Sequence, residues 1–500
     1  MKTNIFIALL LGFALHACYE DKGNYTYHDV VQPVIELENS YTVYRFDTLR
    51  INPKITTLNG EDEYDYTWTL YNLNAFVAVI GNEKELVYPV LTTSNQFRIY
   101  LQLTSRATGI TYTKFFPLSV VSRESMAWYV LKTIGGNTEL DLFFEDDGED
   151  IPNFLEYTVG YNMEGEARGI SYIGEYKDYV DPNDFSSGGQ WCSRVFLASE
   201  KEVLVYDQLA NLVTRNSSNL FYSAPSLLDV HGVFGAANEV YILADGKLYD
   251  VSLMISMTGR FGMARQREDN LPFTLSPYAA CLPISFTRPL LFDETHRSFL
   301  VKNIFVPALF EHDYPTLVNM PYDLKFMGTK IEKSGIQGLA YALMQHRVDQ
   351  SWQIFGIDIG ETEASPTTHA VPSTSGLITA ELRAQHARLD YIYFVKNNQL
   401  FIYNILAGTE ESVYTAPSGE QITMMKCEFD SFTTDANGQY TYPAHLLVIG
   451  TNTGDAYTVR VFHTDINTGR PTDEYKKFQG TGKPADLQSG SPDNDMTVNI

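Results

Sequence analysis

Residues 128–144 read WYVLKTIGGNTELDLFF, an apolar strand, a polar turn at Gly135-Gly136-Asn137 and a second apolar strand. The same unit returns at 194–207 (RVFLASEKEVLVYD), 239–250 (EVYILADGKLYD), 390–404 (DYIYFVKNNQLFIYN) and 445–462 (HLLVIGTNTGDAYTVRVF), with turns that include Asp245-Gly246, Asn397-Asn398 and Thr453-Gly454. Gly, Asn and Asp supply the positive φ that tight hairpin turns require, so each unit is expected to be a β-hairpin. Two fainter members, 298–306 (SFLVKNIFV) and 339–358 (LAYALMQHRVDQSWQIFGID), bring the number to seven, with starts 41 to 66 residues apart. That spacing fits blades of about 40–50 residues plus loops. The strands are near-continuous apolar runs, as expected of a sheet covered on both faces. Residues 123–500 are therefore expected to form a β-propeller of about seven blades, in which ring closure removes most exposed edges. Val498, in the polar stretch 489–499, is a candidate for the closing strand.

Upstream of the repeat, residues 33–122 alternate in short runs rich in Tyr, Thr, Val and Ile, broken by turns such as Leu58-Asn59-Gly60. This pattern predicts a small antiparallel, immunoglobulin-like β-sandwich. Residues 66–72 (YTWTLYN) set Trp68 on one strand face with Tyr66 and Leu70, where a buried Trp would centre the core. Residues 97–104 and 112–122 read as further strands. The fold class is all-β throughout.

The first residues, MKTNIFIALLLGFALHAC, place Lys2 before an apolar run from Ile5 to Leu15. A run this short falls below the roughly 20 residues that span a bilayer, so residues 1–17 read as a signal peptide. Leu15-His16-Ala17-Cys18 is similar to a bacterial lipobox, which makes Cys18 the expected site of lipidation and residues 18–32 a tether. Glu20 and Asp21, just behind it, resemble a surface-export signal. Lipid chains anchor a protein without a spanning segment, at about 0.8 kcal/mol per buried CH₂. The expected address is the outer membrane, lipid-anchored and facing the cell exterior. Cys192, Cys281 and Cys427 remain, allowing one disulfide at most, and they read as small buried apolar residues.

Residues 18–25 (CYEDKGNY), the strand beginning Tyr66-Thr67-Trp68, and the passage from Phe116-Pro117-Leu118-Ser119-Val120-Val121 to Trp128-Tyr129-Val130-Leu131 resemble the PKD-like surface lipoproteins of Bacteroidetes. The likeness covers about the first 145 residues. Thr69-Leu70-Tyr71-Asn72 stands where PKD domains proper carry Asp-Phe-Gly-Asp after the strand Trp, so the resemblance reaches PKD-like and no further. It implies an accessory role beside SusC-like transporters and SusD-like binding proteins in the uptake of a glycan or peptide nutrient.

The 500 residues carry 36 Lys plus Arg against 61 Asp plus Glu, a formal charge of −25, which disfavours nucleic acid as a partner. No catalytic constellation emerges. Gly480-Thr481-Gly482-Lys483 lacks the glycine cradle of a phosphate loop and has Pro484 in the hydroxyl position. The acidic run Glu145 to Asp150 lacks the alternating register of a Ca²⁺ loop, and His231, His296, His346, His386 and His445 stand singly. No metal or cofactor is expected. The tyrosines Tyr157, Tyr161, Tyr172, Tyr176 and Tyr179, in what reads as a long loop over one propeller face, are candidate ligand-stacking residues. The expected function is non-enzymatic binding. A glycoside hydrolase or polysaccharide lyase with its site in the propeller funnel, or a purely structural transporter partner, are the alternatives.

Overall fold

The computed structural model describes residues 32–489, except 58–62, 73–74, 93, 146–148, 179–189, 209–210, 226–227, 237–238, 253–257, 283–287, 303–305, 307, 333–336, 361–363, 430–432, 435–439 and 442–444. The chain divides into two compact units, one ending at Val120 and the other starting at Val121.

The first unit is a β-sandwich. A five-stranded antiparallel sheet runs in the order Tyr41–Tyr44, Thr111–Val121, Asn95–Ser105, Tyr64–Asn72, Ala75–Gly81, and two small sheets pair Val34–Glu36 with Lys54–Thr56 and Thr48–Ile51 with Leu86–Pro89. Alternation along Asn95–Ser105 turns Phe97, Ile99, Leu101 and Leu103 inward. Trp68 is fully buried among them, and its indole N–H donates to the Glu83 carbonyl at 2.8 Å.

The second unit contains, among the described residues, seven sheets of three to five strands that follow one another along the chain, and one two-stranded sheet, Thr433–Thr434 with Tyr440–Thr441. From the axis outward, blade 2 runs Ala167–Asp178, Gln190–Ser199, Val203–Asp207, Leu212–Arg215. Blade 3 has Val230–Ala236, Glu239–Ala244 and Lys247–Ser252; blade 4 runs Leu275–Ala280, Leu290–Asp293, Ser298–Lys302, Ala308–Glu311, with Gln266–Arg267 added outside in parallel. Blade 5 is Tyr322–Ile331, Gly338–His346, Trp352–Asp358, Thr367–Val371, and blade 6 is Arg383–Gln385, Tyr391–Lys396, Gln399–Asn404, Thr409–Thr415. Blade 7 is Gln421–Phe429, His445–Thr453, Ala456–Thr464, Pro471–Thr481. The chain then turns back, and Lys483–Ser489 becomes the axial strand of blade 1, ahead of Trp128–Ile134, Asn137–Phe143 and Met163–Glu164. Each of the seven sequence units falls in a different blade. This is a seven-bladed β-propeller closed by its last described strand.

The apolar runs have their physical reason in the packing. Along Trp128–Ile134, Tyr129 and Leu131 enter a cluster with Ile170, Leu197 and Tyr206 of blade 2, whereas Trp128 and Val130 enter one with Val448 and Val459 of blade 7. Leu447 and Ile449 likewise face blade 6 while Leu446 and Val448 face blade 1. Both faces of a blade are thus core, and each fully buried Val or Leu contributes about 1.5–3 kcal/mol. The tyrosines share this duty. Tyr457 donates to Asp141 Oδ2 of blade 1 at 2.6 Å, and Tyr341 donates to Asp390 of blade 6 at 2.5 Å. Cys192, Cys281 and Cys427 pack in three different interblade clusters.

Three expectations need correction. Residues 298–306 are not a self-contained hairpin: Ser298–Lys302 pairs backwards with Leu290–Asp293. The stretch after residue 157 is not one long loop, because Ala167–Asp178 is the axial strand of blade 2. Ring closure falls to Lys483–Ser489 instead of to Val498, which lies outside the described residues.

Candidate functional site

The first strands of the blades line a central channel. Two cavities lie there, of about 200 Å³ and about 100 Å³. Arg168, His231, Pro277, Lys426 and Asp486 border the first, Phe326, Gly328, Arg383, Gln385 and Lys426 the second, and both include Met425.

Lys426 is held by charge. Its Nζ lies 2.7 Å from Asp486 Oδ1 and 2.5 Å from Glu428 Oε1, and donates to the Leu487 carbonyl at 3.0 Å. Burial alone would lower its pKa, but Asp486 and Glu428 outweigh that and keep it above the ordinary lysine value. Burial pushes the Glu428 carboxyl up against the pull of Lys426. Asp486 Oδ2 also accepts from the Ile170 N–H of blade 2 at 2.9 Å. One carboxylate thereby ties the axial strands of blades 1, 2 and 7.

Arg383 is held differently. Its Nε donates to the Leu377 carbonyl at 3.0 Å and one Nη2 hydrogen to the Ile378 carbonyl at 3.2 Å, and among the described residues no carboxylate pairs with it. Burial lowers its pKa, although a guanidinium stays charged in proteins. Two positions on, Gln385 donates through Nε2 to the carbonyls of His386 and Leu389, both at 3.1 Å. Its Oε1 is buried with no partner among the described residues. Gly328 makes this placement possible, since a Cβ there would come within 2.4 Å of the Gln385 Cβ.

The sequence candidates fare unevenly. Tyr157 is 73% exposed on the helical turn Leu155–Val159, and Tyr161 is half-buried, donating to Glu202 Oε2 at 2.8 Å. Tyr172 and Tyr176 correct the loop reading: both are buried strand residues, one in the core between blades 1 and 2 and the other between blades 2 and 3, where the Tyr176 hydroxyl donates to the Gly259 carbonyl. They do not join Tyr157 in a stacking platform. Tyr179, Cys18, Glu20 and Asp21 lie outside the described residues.

Glu145, at the start of the acidic run, pairs with Lys476 at 2.8 Å and accepts from the Trp128 indole at 3.0 Å. Residues 146–148 are outside the described set. Gly482 forms the turn into the closing strand, and no helix follows it among the described residues. Among the described residues no three His, Cys, Asp or Glu side chains gather as a metal site, and no helix is long and apolar enough to cross a membrane.

The structure unites two histidines that the sequence left apart. His386 and His445 are buried with ring centroids 5.3 Å apart, and His386 Nδ1 accepts from the backbone N–H groups of Arg388 and Leu389 at 3.0 and 3.1 Å. Burial depresses both, His386 to about 3 and His445 to about 4.

The N-terminal segment, the sandwich and the first propeller hairpin together carry a recognisable family pattern. Residues 18–167 match the PKD-like family. The PKD-like match starts at Cys18 and runs past the sandwich into the start of blade 2. No curated protein matches the chain. Among solved structures it is similar to a quinonprotein alcohol dehydrogenase-like protein from Bacteroides thetaiotaomicron, at 12% identity and a TM-score of 0.40, covering 93% of this chain and 100% of that one. It is also similar to an extracellular domain from B. thetaiotaomicron, at 10% identity and a TM-score of 0.31 over 93% and 88% of the two chains. The Nup133 β-propeller domain of Vanderwaltozyma polyspora matches at 8% identity and a TM-score of 0.31, over 63% of this chain and 91% of that one.

Proposed function

We propose that the protein is a lipid-anchored outer-membrane surface protein that binds a ligand without transforming it, as an accessory of a SusC/SusD-like system importing a glycan or peptide, and that the propeller channel is its binding part. The observation that carries this reading is the channel lining, where the half-buried Arg383 has no carboxylate partner and the buried Oε1 of Gln385 no donor among the described residues, both beside a cavity. Buried polar atoms without partners are costly, and a ligand that supplies the partners removes the cost. Asp486 and Glu428, on the axial strands of blades 1 and 7, are both engaged by Lys426, which favours binding over hydrolysis. The PKD-like match beginning at Cys18 supports the surface address.

The test is purification from detergent-solubilised outer membranes of the native host, with identification of what travels with the protein. Recovery of a transporter and its binding protein is the expected result, and isolation of the chain alone under conditions that keep such complexes intact would overturn the assembly. Cys18→Ala is expected to release the protein from the membrane fraction; its persistence there would refute the acyl anchor.

A further inference from the structure

The channel lining inverts the charge of the molecule. Over the whole chain acidic groups prevail and the formal charge is −25, yet among the described residues the two cavities are bordered by Arg168, Arg383 and Lys426 against the carboxylate of Asp486. That carboxylate is engaged by Lys426, and Arg168 has only a loose contact with Glu200 at 3.9 Å among the described residues. Arg383 has none among them. A cation held in a low-dielectric cleft focuses field on whatever enters.

The donor count narrows the ligand. Arg383 spends Nε and one Nη2 hydrogen on carbonyls, which leaves its terminal edge, with N–H groups on both Nη atoms, as a two-pronged fork for a planar anion. Gln385 stands two residues along the same strand and therefore on the same face, with an oxygen that requires a donor. The cavity that Arg383 and Gln385 border is about 100 Å³, with Met425 and Lys426 between it and the neighbouring one of about 200 Å³, so it suits a small ligand.

We propose that the channel binds a small carboxylate that also carries a hydroxyl or N–H group, with Arg383 receiving the carboxylate end-on and Gln385 Oε1 accepting from the neighbouring donor. The proposal rests on the channel being the binding part of the protein. A uronic acid and a peptide C-terminus share this chemistry.

Calorimetric titration of the purified full-length protein in detergent tests it, with D-galacturonate against D-galactose and glycylglycine against its amide. At least one carboxylate probe is expected to bind about tenfold or more tightly than its neutral counterpart, as charge-assisted hydrogen bonds require. Heat from galacturonate alone assigns an acidic sugar, and heat from glycylglycine alone a peptide end. Arg383→Gln is expected to lose the preference and Arg383→Lys to restore part of it. Gln385→Glu, which sets a carboxylate beside Arg383 without removing it, is expected to abolish binding in a folded protein. Neutral probes binding as tightly as the acids, no binding of either acid, or unchanged binding in Gln385→Glu would each overturn the proposal. None of these results bears on co-purification with a transporter, so failure of the ligand assignment is separable from failure of the assembly.

Discussion

Replacing Asp486 is expected to loosen the propeller at its seam. The carboxylate is about nine-tenths buried and makes three connections: Lys426 Nζ of blade 7 at 2.7 Å, the Ile170 N–H of blade 2 at 2.9 Å, and the Leu487 N–H at 2.8 Å. Removing one partner of a buried ion pair costs about 3–5 kcal/mol, because the other charge stays behind. Lys426 retains Glu428 at 2.5 Å, which reduces that loss, while the orphaned Ile170 amide adds about 1–3 kcal/mol. Asp486→Ala should therefore destabilise the second unit by about 3 kcal/mol, and Asp486→Asn, which keeps an acceptor for Ile170, by about 1–2 kcal/mol. Urea unfolding at pH 7 in a Trp68→Phe background reads this directly, since Trp128, Trp191 and Trp352 all belong to the second unit. If both variants unfold within about 0.5 kcal/mol of their parent, the range of an ordinary surface change, the seam is not held by this carboxylate.

Trp68→Ala should cost the sandwich about 3–5 kcal/mol through the cavity it opens, and Trp68→Phe about 1 kcal/mol through the lost bond to Glu83, as read by thermal unfolding. Equal, small effects would show that the indole does not organise that core. The buried His386 and His445 are neutral in the fold, depressed to about 3 and about 4, so the stability they permit is complete above the ordinary histidine pKa and is lost as pH falls from about 6.5 towards those values. Arg388 adds to the depression of both. The urea midpoint should fall across that window in the parent and less steeply in the double variant His386→Asn/His445→Asn, where the side-chain amide introduced at position 386 keeps an acceptor for the Arg388 and Leu389 N–H groups; parallel curves would assign the acid sensitivity to other groups.

What could be read from the sequence was whatever both faces of a strand repeat. The two central strands of a blade are covered on both sides and so become apolar runs, and where Asn397-Asn398 or Asp245-Gly246 supplies left-handed backbone the hairpin announces itself. Blade 4 hid its hairpin because the turn from Asp293 to Ser298 uses other chemistry: Asp293 Oδ1 accepts from the Thr295 N–H at 2.9 Å, and Arg297, with φ 54°, takes the left-handed position that a glycine would have marked. The closing strand was disguised by Pro484, which argues against a strand paired on both sides; Lys483–Ser489 is the edge strand of its sheet, and Pro484 pairs with Lys132 where the register shifts. Tyr172 and Tyr176 read as loop residues because their strand, ARGISYIGEYKD, mixes glycine and charge with its core positions. The channel residues carried no signal at all. Arg383 and Gln385 are isolated polar residues in short axial strands, and Ile170 and Asp486, 316 positions apart, meet only because the ring closes. A charge inversion confined to the axis has no trace in composition or spacing.

The seam also orders the birth of the molecule. Trp128–Ile134 leaves the ribosome early, yet the strand that completes its blade, Lys483–Ser489, is the last one described. Until that strand arrives, blade 1 offers a bare row of backbone donors and acceptors flanked by Trp128 and Val130, a template on which a second nascent chain could pair. A polypeptide cut short before Lys483 would keep six blades' worth of apolar side chains and have no means of hiding that edge. The pairing of Trp128–Ile134 with a strand about 350 residues further on thus makes closure of the ring, and protection of that edge, a single late event in folding.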